Sequence, residues 1–241
     1  MQMLLPDWPA PAKVKACVTL REGGVSQGGY SHLNLATHVG DDPKAVAENR
    51  ARLRAVLPAE PAWLTQVHGT AVATFPIEGA PQADAAVAHV PLQICAILTA
   101  DCLPVLFCDV DAKAVAAAHA GWRGLAAGVL ENTLAKMEVS PGNVMAWLGP
   151  AISQAAFEVG EEVREAFVAP HPEDARAFIA GQQPGKWQAD LYALARLRLA
   201  RAGVKQVFGG GACTYQETSR FFSYRRAAES GRFASLIWLS D

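Results

Sequence analysis

The sequence lacks the features that mark membrane and secreted proteins. Its most apolar stretch, residues 94–100, ends at Asp101, far short of the ~20 apolar residues that span a bilayer. The first residues contain no basic segment followed by an apolar run, so we expect no secretory signal. The five cysteines include no CxxC pair, which favours reduced thiols. We therefore expect a cytoplasmic protein with no membrane partner.

An excess of one charge is also absent. Lys and Arg total 21 against 23 Asp and Glu, a net charge of −2, whereas nucleic-acid-binding surfaces are usually basic. No nucleic-acid partner is expected. The chain has 241 residues with no repeat and no Ser-rich, Gly-rich or Pro-rich linker, so we predict one domain over residues 1–241. No stretch is typical of an obligate dimer interface, so a monomer is expected.

What is present is an alternation of short apolar runs with amphipathic stretches, which predicts an α/β (α+β) fold. Predicted strands cover residues 14–19, 71–75, 93–99, 105–109, 114–119, 144–148 and 234–239. Predicted helices cover residues 43–57, 125–138, 160–169, 188–202 and, more weakly, 173–180. Asp42 before Pro43 is a typical helix start. Several strands are joined by segments too short for a crossover helix, so the sheets should be mixed.

Three segments place a reactive side chain at the end of an apolar run: TQVHG, TADCLPV and HAGWRG. Their residues His68, Cys102 and His119 offer a thiolate and two imidazoles, a suitable ligand set for zinc or copper. Three protein ligands leave one position open, as a catalytic metal needs. The same residues also fit a Cys102 nucleophile with His119 or His68 as its base. A third interpretation is a buried cysteine beside hydrogen-bonded histidines.

Two further features involve arginine. Arg50 falls on the apolar face of the helix predicted from Pro43, and a buried guanidinium needs an anion or acceptors. A phosphate or carboxylate partner is one interpretation; the other is an aliphatic stem that packs while the charged group reaches solvent. The segment 220–226, RFFSYRR, either stacks on and pairs with a planar anionic ligand or is a packed strand edge with solvated arginines.

Taken together, these motifs resemble the laccase-domain family, also known as the peptidoglycan editing factor or polyphenol oxidase family. The resemblance covers residues 21–238 and rests on GGVSQGGYSHLNLATHVGDDPKAVAENR, TQVHG, ADAAVA, LTADCLPV, AAHAGWRG, FEVGEEV and CTYQETSRFFSYRR…GRFASLIWL. It implies a single domain with mixed β-sheets sandwiched by helices. It also implies a zinc site at His68, Cys102 and His119, with Arg50 near the metal. One departure is AISQAAFEV, where many members have a glycine, a proline and a cysteine before the aromatic residue.

The resemblance further implies a zinc-dependent enzyme that acts on purine nucleosides. The implied reactions are phosphorolysis of adenosine, inosine, guanosine or methylthioadenosine, and deamination of adenosine. Purine nucleosides and phosphate are then the expected partners, with Cys102, His119 and Arg50 as catalytic residues and Arg50 contacting phosphate. No HxE motif supplies a proton shuttle, so Cys102, Asp101 and Glu161 are the candidates for general acid and base.

Two other functions stay open. A Cys-His hydrolase that edits peptidoglycan precursors would use Cys102 and His119 without a metal. A copper-dependent polyphenol oxidoreductase is the family's older description. A four-copper oxidase needs about ten histidines, and this chain has six. Zinc is therefore the preferred metal, with copper as the alternative.

Overall fold

The computed structural model describes residues 2–241, which form fourteen strands and five α-helices. The strands are β1 (Met3–Leu4), β2 (Val14–Thr19), β3 (Pro61–Ala62), β4 (Val72–Thr74), β5 (Ala85–Ala88), β6 (Ile94–Thr99), β7 (Leu103–Asp109), β8 (Val115–Ala120), β9 (Val144–Leu148), β10 (Glu158–Gly160), β11 (Phe178–Ala180), β12 (Lys186–Ala189), β13 (Gln206–Gly209) and β14 (Phe233–Leu239). The helices are α1 (Pro43–Arg54), α2 (Trp122–Ala127), α3 (Val129–Lys136), α4 (Glu161–Val168) and α5 (Leu191–Arg201).

The strands assemble into two large sheets and one small sheet. The five-stranded sheet has the order β1-β2-β14-β6-β3, the six-stranded sheet has the order β13-β9-β7-β8-β5-β4, and β10, β12 and β11 form the third. In both large sheets most neighbours are antiparallel, but β3 runs parallel to β6, β4 to β5, and β13 to β9. The predicted mixed α/β fold is confirmed.

The two large sheets pack face to face, and helices cover their outer faces. Alternate residues of a strand point to opposite faces: Ile97 of β6 packs toward Leu106 of the six-stranded sheet, while Ala96 packs with Leu53 of α1. On its other face, the six-stranded sheet packs Phe107 with residues of α3 and α5. Because β7, β8 and β9 are covered on both faces, every one of their residues is buried.

The first two predicted helices start or divide at residues with a clear local role. α1 begins as predicted, because the Asp42 carboxylate accepts a hydrogen bond from the Lys44 N–H at 3.0 Å and Pro43 fills the first helical position. The helix predicted at 125–138 is two helices, α2 and α3, that meet at Gly128. Its φ of 102° is left-handed, a conformation that glycine adopts without strain.

The region 173–202 differs most from the prediction. The helix predicted at 173–180 is wrong, because residues 172–177 form a 3-10 helix and the next three form β11. The helix predicted at 188–202 begins only at Leu191, where the Asp190 side chain accepts a hydrogen bond from the Ala193 N–H. The strands that the sequence did not predict have two to four residues, too few to show a period.

Two of the segments that cross between the large sheets carry side chains of interest. Residues 63–71 lead from β3 to β4, and residues 100–102 lead from β6 to β7. His68 and Cys102 lie on these two crossings, and His119 lies near the end of β8. Within residues 2–241, no helix has both the length and the apolar character required to cross a membrane.

Candidate metal centre

The structure brings together the three side chains that the sequence singled out. One ligand atom from each of His68, Cys102 and His119 lies within 4.8 Å of the other two. The Cys102 Sγ is 3.6 Å from His68 Nε2, and the two imidazole rings lie edge to face with centroids 4.7 Å apart. A sulfur and two imidazole nitrogens at this spacing could hold a metal ion.

A buried carboxylate, Asp84, orients the two histidines. Its Oδ1 lies 2.8 Å from His119 Nδ1 and accepts a hydrogen bond from the His68 backbone N–H at 2.9 Å, while its Oδ2 accepts from the N–H groups of Gly69 and Val67. An ionised carboxylate only accepts, so the His119 proton lies on Nδ1. When the ring is neutral, as a metal ligand must be, its Nε2 lone pair points to the cluster, an arrangement found around metal-binding histidines.

The same contacts fix an uncommon backbone conformation. His68 has a φ of +60°, in the left-handed region, which non-glycine residues adopt only when their surroundings determine it. The three backbone hydrogen bonds to Asp84 bind the loop on both sides of His68. Asp84 lies in the ADAAVA segment, and no sequence pattern predicts its role.

Charge coupling within the cluster shifts its pKa values. Burial opposes ionisation of Cys102, but the positive charge of His119 and hydrogen bonds from His119 and His68 lower the pKa of the thiol to about 6. Burial also opposes protonation of His119, but the Cys102 thiolate and Asp84 raise its pKa to about 9. Burial disfavours the charge on Asp84 as well, yet its bonds to His119 and the loop amides lower its pKa. The thiolate form that binds metals is therefore favoured.

Gly121, at the start of α2, leaves the space that the cluster occupies. A Cβ atom at this position would lie 2.6 Å from His68 Cδ2 and 3.2 Å from Cys102 Sγ. Neither contact is tolerated without displacement of a ligand side chain. Close packing thus explains why the HAGWRG segment has a glycine at position 121.

The cluster lies in the wall of a cavity of about 490 Å³, a size typical of sites for small molecules. Aromatic side chains of Trp122, Phe157 and Tyr224 line it. Its cationic side chains are Arg225 and Arg232, and its other histidine is His38.

Asp101 also lines the cavity, but its carboxylate is fully engaged. It accepts hydrogen bonds from the Thr214 and Ser223 hydroxyls at 2.6 and 3.0 Å and from the backbone N–H of Arg225 at 2.7 Å. These bonds connect the Cys102 turn to the loop that follows β13. The geometry assigns Asp101 a structural role more readily than the acid–base role considered for it. Glu161, the other acidic candidate, is bonded to Trp187 and Arg164 and does not line the cavity.

Arg50 lies behind the cavity wall. Its Nε donates to the Leu35 carbonyl at 2.9 Å and its guanidinium stacks over the Trp63 ring at 4.2 Å. It is not among the residues that line the cavity, so its predicted contact with phosphate stays a prediction. The segment 220–226 combines both interpretations: Phe221 and Phe222 are buried, whereas Tyr224 and Arg225 face the cavity.

The other four cysteines do not belong to the His68–Cys102–His119 cluster. Within residues 2–241 no disulfide is formed. Burial raises the pKa of Cys17 and Cys108, each to about 12, and raises that of Cys95 further. Among the thiols whose pKa shifts, Cys102 is the only one with a lowered pKa.

Comparisons with known proteins agree with this picture. Residues 15–240 match the family described as multi-copper polyphenol oxidoreductase laccase. A Pseudomonas aeruginosa protein named purine nucleoside phosphorylase is 56% identical over 238 residues, 99% of this chain and 98% of the relative. Escherichia coli purine nucleoside phosphorylase YfiH is 53% identical over 244 residues, 99% of each chain.

Solved structures of similar chains have the same fold. The Neisseria meningitidis protein NMB0706, of family DUF152, superposes with a TM-score of 0.95 at 56% identity and full coverage of both chains. YlmD from Geobacillus stearothermophilus gives a TM-score of 0.91 at 28% identity, covering 100% of this chain and 97% of its own. The resemblance predicted from the motifs is confirmed: the chain belongs to the laccase-domain family, described as multi-copper polyphenol oxidoreductase laccase.

Proposed function

We propose that this chain is a zinc-dependent purine nucleoside phosphorylase, with residues 1–241 as one catalytic domain that acts as a monomer in the cytoplasm. The observation that carries the proposal is the His68–Cys102–His119 cluster in the wall of a 490 Å³ cavity that also presents aromatic and cationic side chains. Relatives of 56% and 53% identity are named purine nucleoside phosphorylases.

The donor set fits zinc. His68, Cys102 and His119 would hold the ion, since a sulfur and two imidazoles are common zinc ligands and three protein ligands leave a position for a substrate. When bound, zinc supplies Lewis acidity at the cavity wall. Copper accepts the same ligands and is the alternative metal.

The protein's own residues would bind and orient the two substrates. Asp84 holds the His119 ring with its proton on Nδ1, so the ligand geometry is set before substrate arrives. Phe157 and Tyr224 offer ring faces on which a planar purine can stack. The arginines at the cavity supply positive charge for phosphate. The expected substrates are adenosine, inosine, guanosine and methylthioadenosine.

Adenosine deamination is proposed as a secondary activity. It needs a proton shuttle, and the cavity offers few candidates because Asp101 is engaged by three donors and Glu161 lies elsewhere. Cys102, the remaining candidate, would be held by the metal. We therefore expect deamination to be slower than phosphorolysis.

The Cys-His hydrolase is the second candidate, because the lowered pKa of Cys102 beside two imidazoles also fits a nucleophile.

One experiment separates the two functions. Purified protein is stripped with a chelator and reloaded with zinc or copper, and base release from adenosine and inosine is measured with and without phosphate. We expect release that depends on phosphate and is restored by metal. Activity retained without metal, or full turnover by Cys102→Ala, would rule the phosphorylase out.

A further inference from the structure

The cavity wall combines Arg232 and His38 with the His68–Cys102–His119 cluster. Arg232 directly precedes β14, whose first residue, Phe233, pairs with Thr99 at the end of β6. The Asp101–Cys102 turn follows immediately, so the Arg232 side chain enters the cavity beside it. The negative charges of Cys102 and Asp101 act on Arg232, although burial, the largest effect, lowers its pKa.

The Arg232 guanidinium has donors to spare. Its Nη1 donates to the Ser230 and Gly231 carbonyls at 2.7 and 3.0 Å and lies 3.3 Å from Ser230 Oγ. Among residues 2–241, Nε and Nη2 donate to no protein acceptor, and no carboxylate forms an ion pair with Arg232. Two neighbouring N–H groups of a guanidinium are suited to bidentate contact with an oxyanion.

His38 lines the cavity together with Arg232, and Arg50 lies near His38 without lining the cavity. Burial lowers the pKa of His38, and the positive charges of Arg232 and Arg50 lower it further, so the three groups lie near one another. Leu35 connects the two arginines: its N–H donates to the Arg232 carbonyl at 3.2 Å, and its carbonyl accepts from Arg50 Nε. Arg50 thus lies near His38, and the Glu60 carboxylate offsets part of the effect of burial on its pKa.

We infer that Arg232 and His38 form the binding site for inorganic phosphate, with Arg50 contributing its charge from the layer behind. The free Nε–H and Nη2–H of Arg232 would donate to two phosphate oxygens, and the His38 imidazole would donate to a third. The donors of Arg232 and His38 support a site for an oxyanion. Only its assignment to free phosphate, rather than to another oxyanion, rests on the proposed function. The phosphate group of a nucleotide has the same chemistry, and the experiment below distinguishes the two.

The location suits phosphorolysis. Phosphate held by Arg232 and His38 lies in the same cavity as the cluster, on one side of the space that a nucleoside would fill. A phosphate oxygen forms a bond to the ribose C1′ while the bond from C1′ to the purine nitrogen breaks. The electron pair of that bond leaves with the purine, which takes up the proton that hydrogen phosphate loses. The products are ribose 1-phosphate and the free base.

The test measures binding and turnover separately. Inorganic phosphate and adenosine 5′-monophosphate are each titrated calorimetrically into the metal-loaded wild type and the variants Arg232→Gln, Arg232→Lys and Arg50→Gln. Arg52→Gln is the matched control, since Arg52 is a half-exposed arginine paired with Glu48 on the same helix as Arg50. We expect Arg232→Gln to weaken phosphate binding and raise the KM for phosphate by roughly 10-fold or more, the effect of losing charged hydrogen bonds. The KM for adenosine should change far less.

Each result bears on the inference. Partial recovery by Arg232→Lys and a smaller loss in Arg50→Gln would support it, with Arg52→Gln unchanged. Equal phosphate binding by wild type and Arg232→Gln would overturn it, as would tight binding of the nucleotide without binding of inorganic phosphate. If Arg232→Gln does not fold, His38→Ala gives the same comparison at an exposed loop. If wild type binds phosphate through Arg232 but releases no base, the proposed function fails and the phosphate site stands.

Discussion

At the scale of single residues, Asp84 has the largest share in the geometry of the cluster. It is fully buried and accepts hydrogen bonds from three successive loop amides and from His119. The sequence could predict the three candidate ligands, because histidine and cysteine beside turn residues stand out. It could not predict Asp84 as their partner, because an aspartate ahead of a strand looks like any turn residue until the fold places it against His119.

Asp84→Asn tests this role. The amide keeps one acceptor oxygen but loses the negative charge that holds His119 in its orientation, so we expect metal affinity to fall by about 10- to 100-fold. Competition with a chromophoric chelator measures the affinity, and circular dichroism checks that the variant is folded. Asp111→Asn is the control, since Asp111 pairs with Lys113 at the surface. Unchanged affinity in a folded Asp84→Asn protein would contradict the role.

Cys102 should also be chemically distinct from the other thiols. With its pKa lowered to about 6, it is mainly thiolate at pH 7, whereas Cys17, Cys95 and Cys108 have raised pKa values and are buried. In metal-free protein we expect iodoacetamide to modify Cys102 first, with a rate that rises through about pH 6 and then levels off. Peptide mass spectrometry identifies the site. Metal loading should protect it; a rate that keeps rising to pH 9 would exclude the lowered pKa.

At the scale of secondary-structure elements, the start of α2 limits the space beside the ligands. Gly121→Ala would place its Cβ 2.6 Å from the His68 ring, so His68 must move. We expect metal affinity and phosphorolysis to fall together, by roughly 10-fold or more. Gly142→Ala is the matched control, because no atom lies within 4 Å of a Cβ at that position. If both substitutions leave metal affinity unchanged, the close packing does not matter.

Elements with strong local signals were predictable, and those defined by distant partners were not. α1 has a capping Asp42 and a proline at its first position, and the buried strands β6 to β9 are apolar enough to identify. By contrast, residues 186–189 pair with β10 on one side and with residues 178–180 on the other. Neither segment shows a period of its own. The alanine-rich and leucine-rich composition around them favoured helix, and pairing across the third sheet prevailed.

At the scale of the whole molecule, metal binding should stabilise the fold. A ligand that binds only the native state at about 100 times its Kd adds about 2.7 kcal/mol to the free energy of unfolding. For a chain of this length that corresponds to a rise in Tm of roughly 5 °C or more. Calorimetry of stripped and zinc-loaded protein measures the shift. His119→Ala should abolish it, and His171→Ala, at a half-exposed position near Glu173, should retain it.

The histidine count also sets what the molecule as a whole can do. Six histidines are present, and three of them, His38, His68 and His119, line the cavity. A type 1 copper with a three-copper cluster needs about ten. The family description therefore names a chemistry that this chain lacks the ligands to perform in its four-copper form, whereas a single metal centre needs only the three residues at hand.

The crossings that carry His68 and Cys102 have a consequence for the order of events during folding. His68 and Cys102 lie on different crossings, and His119 is contributed by a strand of one sheet alone. A chain whose sheets have formed separately but have not yet docked therefore has three scattered side chains and no ligand set. Uptake of a metal ion at this site would therefore report that tertiary assembly is complete.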